Sequence, residues 1–149
     1  MEDKSMISID ITGLATYLDK IKEIPSVSKL MAGVYLRDFI VGQDIAGQLL
    51  AKAVQADIKA KSRLEQAEAI AYLDSASDYL KEKNIKDSSE ARKRYIDVDP
   101  LVLDAKDKKA QTEALVSLMK SKLNVLRQAH DDLKKISYGD SGMTSYEGM

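Results

Sequence analysis

Along most of the chain, apolar residues recur every three or four positions, the spacing of one face of an α-helix. Residues 1–25 read as a lead-in followed by a short helix. Met6, Ile7, Ser8 and Ile9 alternate weakly, as an extended segment would, and Thr12 then caps a helix carrying Leu14, Tyr17, Leu18 and Ile21. Pro25 ends it, because the residue before a proline is pushed out of the α region. Residues 26–84 predict one long helix, capped by Ser26 or Ser28. Gly33, Gly42 and Gly47 weaken its first part by about 1 kcal/mol each relative to alanine, which predicts a bend near Gly42. Beyond them, Ile45, Leu49, Ala53, Ala56, Ala60, Leu64, Ala67, Ile70 or Ala71, and Leu73 form a stripe of mostly small side chains.

Residues 85–99 read as a hinge, with Asp87 or Ser88 placed to cap one or two turns. Asp99 followed by Pro100 is the clearest local signal in the chain. The aspartate offers a capping carboxylate, and proline suits a first helical position where no N–H is needed. The C-terminal long helix this opens covers residues 100–137, with a stripe at Leu101, Ala105, Lys108, Leu115, Met119, Lys122, Leu126, Ala129, Leu133 and Ile136. Leu118, Leu123 and Val125 broaden it. Residues 138–149 have loop composition and predict a flexible tail.

The expected fold is therefore all-α: a long-helix antiparallel hairpin or bundle with a short N-terminal helix. Composition agrees, since apolar residues make up 44% of the 149 but include one Phe (Phe39) and no Trp, which suits closely approaching helices better than a sandwich built on aromatic packing. A helix from Leu101 to Ile136 is about 54 Å long, whereas a compact domain of this size is about 40 Å across. The overhang predicts an elongated subunit in a homo-oligomer. Heptad-like spacing at Leu115, Met119, Leu126, Leu133 and Ile136, with Leu118 alongside, marks the residues expected to carry assembly.

Candidate chemistry is sparse. His130 is the sole histidine, so one chain cannot build a multi-histidine site, and beside Asp131 and Asp132 it reads as an ordinary helix-surface residue. The glycines of residues 42–47 have the wrong spacing for a phosphate loop. No metal or cofactor is expected, and no enzymatic activity. The absence of cysteine excludes disulfides and fits a reducing compartment. Neither a signal peptide nor a membrane span is evident, so the expected location is cytoplasmic, the bacterial host cytoplasm if the chain is phage-encoded.

The net charge of −1 gives no global attraction for nucleic acid, so any such binding must be local. Lys52, Lys59 and Arg63 fall on one side of the long helix, with Lys61 on another face of the same stretch. A second basic cluster, Lys81, Lys83, Lys86, Arg92, Lys93 and Arg94, surrounds the hinge and is interleaved with Tyr79 and Tyr95. Cations neutralise phosphates and tyrosine can stack on an unpaired base. In an oligomer, weak patches multiply through avidity.

Lys59, Ala60, Lys61, Ser62, Arg63 and Leu64, set in a long helix, resemble the Lys-x-Arg-Leu element of the UvsY recombination mediators of T-even-like bacteriophages. Ser89, Glu90, Asp99, Val102, Leu103 and a last helix ending near Ile136 follow at a spacing similar to that family's C-terminal half. The likeness covers roughly residues 45–136. It implies an all-helical subunit in a ring of six or seven that binds single-stranded DNA and helps a recombinase displace the single-strand-binding protein and load. Lys61 and Arg63 inherit the DNA contact from the resemblance, and Lys59 joins them from the helix stripe. The hinge cluster adds Arg92, Lys93 and Arg94, and the final helix carries assembly. The alternatives are a phage structural or scaffolding protein making only protein–protein contacts, and an adaptor or inhibitor docking a helix on a host enzyme.

Overall fold

A computed structural model describes residues 8–147, with side chains to residue 139. The extended segment expected at residues 6–9 lies largely outside the described residues. Every regular element described is helical: α1 (Thr12–Ile21), a 3₁₀ turn (Ile24–Ser26), α2 (Lys29–Ile70), a π-helical turn (Ala71–Ser75), α3 (Ala76–Glu82), α4 (Ser89–Ile96) and α5 (Pro100–Glu147). The all-α fold built on two long helices is as the periodicity predicts. Two compact units share them. One comprises Ala53–Val116, and the other Ile9–Lys52 with the chain from Ser117.

In the second of these units, α1 is started by Asp10 rather than by Thr12. The Asp10 carboxylate accepts from both the Thr12 N–H (2.9 Å) and the Thr12 hydroxyl (2.7 Å). Ser28 caps α2, accepting from the Met31 N–H at 3.2 Å. The helix is continuous through Gly42, near which the sequence predicts a bend, and the glycine there has a packing role. A Cβ on Gly42 would stand 3.0 Å from Cγ of Tyr17, so the missing side chain is what seats the tyrosine ring of α1. Beside it, Lys20 pairs with Asp38 at 2.7 Å.

Buried positions on α2 recur at intervals of seven: Ala32, Phe39, Ala46, Ala53 and Ala60. On α5 the same interval links Thr112, Met119, Leu126 and Leu133. Seven-residue repeats keep one seam of a helix facing its neighbour, and alanine on that seam allows close approach. Leu101, expected in the α5 stripe, is 58% exposed, and its neighbour Val102 is buried instead.

The first unit holds a π-helical departure from regular α-helix at Ala71–Ser75. Ala71 and Ala76 are both buried at a spacing of five, followed by Leu80. A π turn inserts one extra residue, which rotates the buried face. Leu73, expected in the core stripe, is consequently turned outward and 64% exposed. Ala71, Ala76, Tyr95 and Val102 form the core here, with Leu64, Ala67, Tyr79 and Ile96 packed on it. The hinge expected at 85–99 contains α4, capped by Ser88, whose hydroxyl accepts from the Ala91 N–H at 3.1 Å.

Asp99 opens α5 as the sequence indicates. Its Oδ2 accepts from the N–H groups of Leu101 and Val102, both at 3.1 Å, and its Oδ1 accepts from the Tyr95 hydroxyl at 2.6 Å. The expected end at residue 137 is corrected: the backbone stays helical to Glu147. Gly139 and Gly142 disfavour helix by about 1 kcal/mol each, but without a proline neither removes a helical hydrogen bond.

Candidate nucleic-acid interface

Lys59 and Arg63 are one helical turn apart, so they share a face of α2. Within the first unit that face meets α5 in a groove of about 250 Å³, to which α2 contributes Ala56, Lys59, Ala60 and Arg63. The α5 side contributes Asp104, Ala105 and Lys108. Alanine methyl groups form the floor, and three cations and one carboxylate surround it. Asp104 binds Lys108 at 3.0 Å. Lys59 and Arg63 are exposed and have no ion-pair partner among the described residues. Lys61 is exposed but does not line the groove. It lies a turn beyond Asp57, whose carboxylate feels its charge. The pair suggested by the family resemblance is thus divided: Arg63 joins Lys59, while Lys61 sits apart.

The register that brings Lys108 opposite Lys59 and Arg63 is fixed by a polar knot one turn away. Asp57 Oδ1 on α2 accepts from Lys109 Nζ (2.8 Å) and from the Thr112 hydroxyl (2.7 Å) on α5. Glu113 completes it, 2.9 Å from Lys109. These contacts hold the Asp57 carboxyl below its usual range, chiefly through the Lys109 hydrogen bond, and hold Lys109 above its own through Asp57. Thr112 is fully buried, and a buried polar group of this kind must be paired. The α2 partners at 57 and 60–63 meet 109–112 and 104–105 in reverse order, so the two helices run antiparallel within this unit.

The hinge cluster behaves differently. Arg92, expected as a DNA contact, is bonded within the fold. Its Nε and one terminal nitrogen form a fork on Asp87, both at 2.8 Å, and the other terminal nitrogen donates to the Tyr72 carbonyl at 2.9 Å. Arg92 also lies over the Tyr72 ring, 5.8 Å from its centroid. It therefore ties α4 to the π turn, where helical carbonyls are in need of donors. Arg94 pairs with Glu90 at 2.9 Å, but the two are 80% and 79% exposed, so the bond is weak and easily exchanged. Lys93 is exposed and without an ion-pair partner among the described residues. Tyr95, expected as a stacking surface, is buried against Tyr79 with ring centroids 4.8 Å apart.

The expected assembly residues also divide. Met119, Leu126 and Leu133 are fully buried inside the chain, which corrects their assignment to contacts with a second subunit. Their heptad spacing is used internally. Leu115 and Ile136 are half-buried, and Leu118 remains exposed. On α2, Leu30, Val34 and Val41 are exposed on one face, Leu30 to 83%. His130 stands 3.9 Å from Asp131. Among the described residues no group of three or more His, Cys, Asp or Glu side chains is placed to hold a metal, and no helix is long and apolar enough to cross a membrane.

The sequence missed Lys108 as a groove cation, because its position in the α5 stripe marked it only as part of the packing face. The spacing of 108 from 101 and 115 gave its face, but not what stood opposite. Comparison with family models, curated proteins and solved structures finds no match to the chain.

Proposed function

We propose that this protein is a single-stranded DNA-binding accessory protein with no catalysis of its own, binding through the α2–α5 groove of its first unit. One observation carries the reading. Lys59 and Arg63, without an ion-pair partner among the described residues, line one concave surface together with Lys108. Cations left without acidic partners around a concave surface favour a phosphate ligand. Lys61 and Lys93 add exposed positive charge outside the groove. Action as a recombination mediator, loading a recombinase against the single-strand-binding protein from a ring of six or seven subunits, rests on the resemblance to the UvsY family and not on the groove.

The test is anisotropy of a labelled oligothymidylate against salt. Micromolar or tighter binding is expected at low salt, weakening as salt rises with a slope of about −0.7 per phosphate neutralised. Lys59→Ala with Arg63→Ala lowers both affinity and slope. An assembled protein that leaves the probe unbound at low salt refutes the reading. A second reading, a structural or scaffolding protein making only protein contacts, is favoured by the exposed Leu30, Val34 and Val41 face. It expects no salt-dependent DNA binding, and a sedimentation mass above one chain that falls on Val34→Glu.

A further inference from the structure

The groove's lining has a second property besides its charge. Apart from cations and one aspartate it presents only the methyl groups of Ala56, Ala60 and Ala105. It offers no aromatic ring on which a base could stack, and no amide or hydroxyl to read a base edge. Its single acceptor, Asp104, is occupied by Lys108 across one helical turn at 3.0 Å, with both side chains about half-exposed. An exposed pair of this kind is weak enough for a stronger anion to replace.

We infer, building on the proposed DNA-binding function, that the groove clamps the phosphodiester backbone without reading bases, and that Lys108 is its third clamp residue, held in reserve by Asp104. The unliganded groove keeps Lys108 on Asp104. A phosphate held by Lys59 and Arg63 draws the ammonium across, and Asp104 acts as a built-in competitor that lowers affinity. Replacing that carboxylate with a neutral amide therefore strengthens binding, which a merely structural ion pair would not do.

The experiment titrates the full chain with two labelled probes of equal length, oligothymidylate and an abasic phosphodiester oligomer carrying no bases. Both bind wild type with closely similar affinity and salt slope. Lys108→Gln weakens both about three- to tenfold and lowers the slope by about 0.7. Asp104→Asn tightens both about two- to fivefold, while Glu65→Gln, the same charge change on α2 away from the groove, leaves them near wild type. The Asp104 variant gains function, so misfolding cannot imitate its result. A drop of about tenfold or more on the abasic probe shows base stacking and overturns the backbone clamp. Equal gains from Asp104→Asn and Glu65→Gln, or no effect of Lys108→Gln, overturn the reserve role of Lys108. Those outcomes leave the DNA-binding proposal standing, provided that Lys59→Ala with Arg63→Ala still lowers affinity and salt slope. Absence of wild-type binding to either probe refutes both.

Discussion

Asp99→Ala removes two different supports with one substitution. The buried carboxylate caps α5 through the Leu101 and Val102 N–H groups and also accepts the Tyr95 hydroxyl at 2.6 Å. Loss of an aspartate cap costs about 1 kcal/mol. A buried hydroxyl left without its acceptor adds about 1–3 kcal/mol. The sum is about 2–4 kcal/mol, or roughly 5–12 °C in Tm for a chain of this length. Urea unfolding followed by circular dichroism measures it, with Tyr95→Phe as the companion. Phenylalanine removes the donor and keeps the cap, so it costs less, about 1–2 kcal/mol. In the double variant no hydroxyl remains to be stranded, and the two costs fall short of additivity by about 1 kcal/mol. Strict additivity, or an Asp99→Ala cost below about 0.5 kcal/mol, refutes the reasoning. The same bond raises the Tyr95 phenol to about 12, the hydrogen bond to Asp99 being the main cause and burial the next. Its contribution is complete below the ordinary tyrosine range and is lost as pH rises through about 12. Absorbance titration of the native protein then shows a late phenol that Tyr95→Phe deletes.

Five further substitutions address other parts of the fold. Gly33→Ala and Gly47→Ala meet nothing within 4 Å and stabilise α2 by about 0.5–1 kcal/mol each in denaturant unfolding. Gly42→Ala drives a methyl group into Tyr17 and destabilises instead. Asp57→Asn breaks the polar knot. Because the folded Asp57 carboxyl is lowered and the folded Lys109 ammonium raised, the stability gap between wild type and variant is full between about pH 5 and pH 9 and narrows as acid titrates Asp57. A gap that persists unchanged into strong acid contradicts the ion-pair account. Arg92→Lys keeps the charge and loses the planar fork on Asp87 and the Tyr72 carbonyl, so it speeds amide exchange in the π turn while leaving the DNA salt slope unchanged. A lowered slope places Arg92 on the ligand after all.

The elements were legible where local physics decides them. Asp99 with Pro100, Ser88 and Ser28 start helices through bonds made within a turn, and apolar spacing marks the packed faces. Misreadings occurred where a decision is non-local. Gly42 looks like a helix breaker in sequence, and only the arrival of Tyr17 explains it. Leu73 fits a 3.6-residue stripe, but the π turn rotates the face between Ala71 and Ala76. The signal for that turn was present, since those alanines and Leu80 are spaced five and then four. Asp10 outcompetes Thr12 because its carboxylate accepts two bonds at once, a choice that cap preferences alone do not make.

The site shows the same division more sharply in a pair of adjacent lysines. Lys108 and Lys109 differ by 100° around α5, which sequence reveals, yet their fates depend on which α2 residues lie opposite. Asp57 takes Lys109 and Thr112, and that electroneutral contact sets the register of the two helices in this unit. One turn further along, the same register brings Lys108 to the groove lined by Lys59 and Arg63. The structural lysine and the proposed binding lysine are thus consequences of one alignment. Asp57→Asn tests this dependence: a loosened register weakens DNA binding although Asp57 lies outside the groove, whereas simple removal of a negative charge strengthens it. The sign of the change in affinity decides between the two.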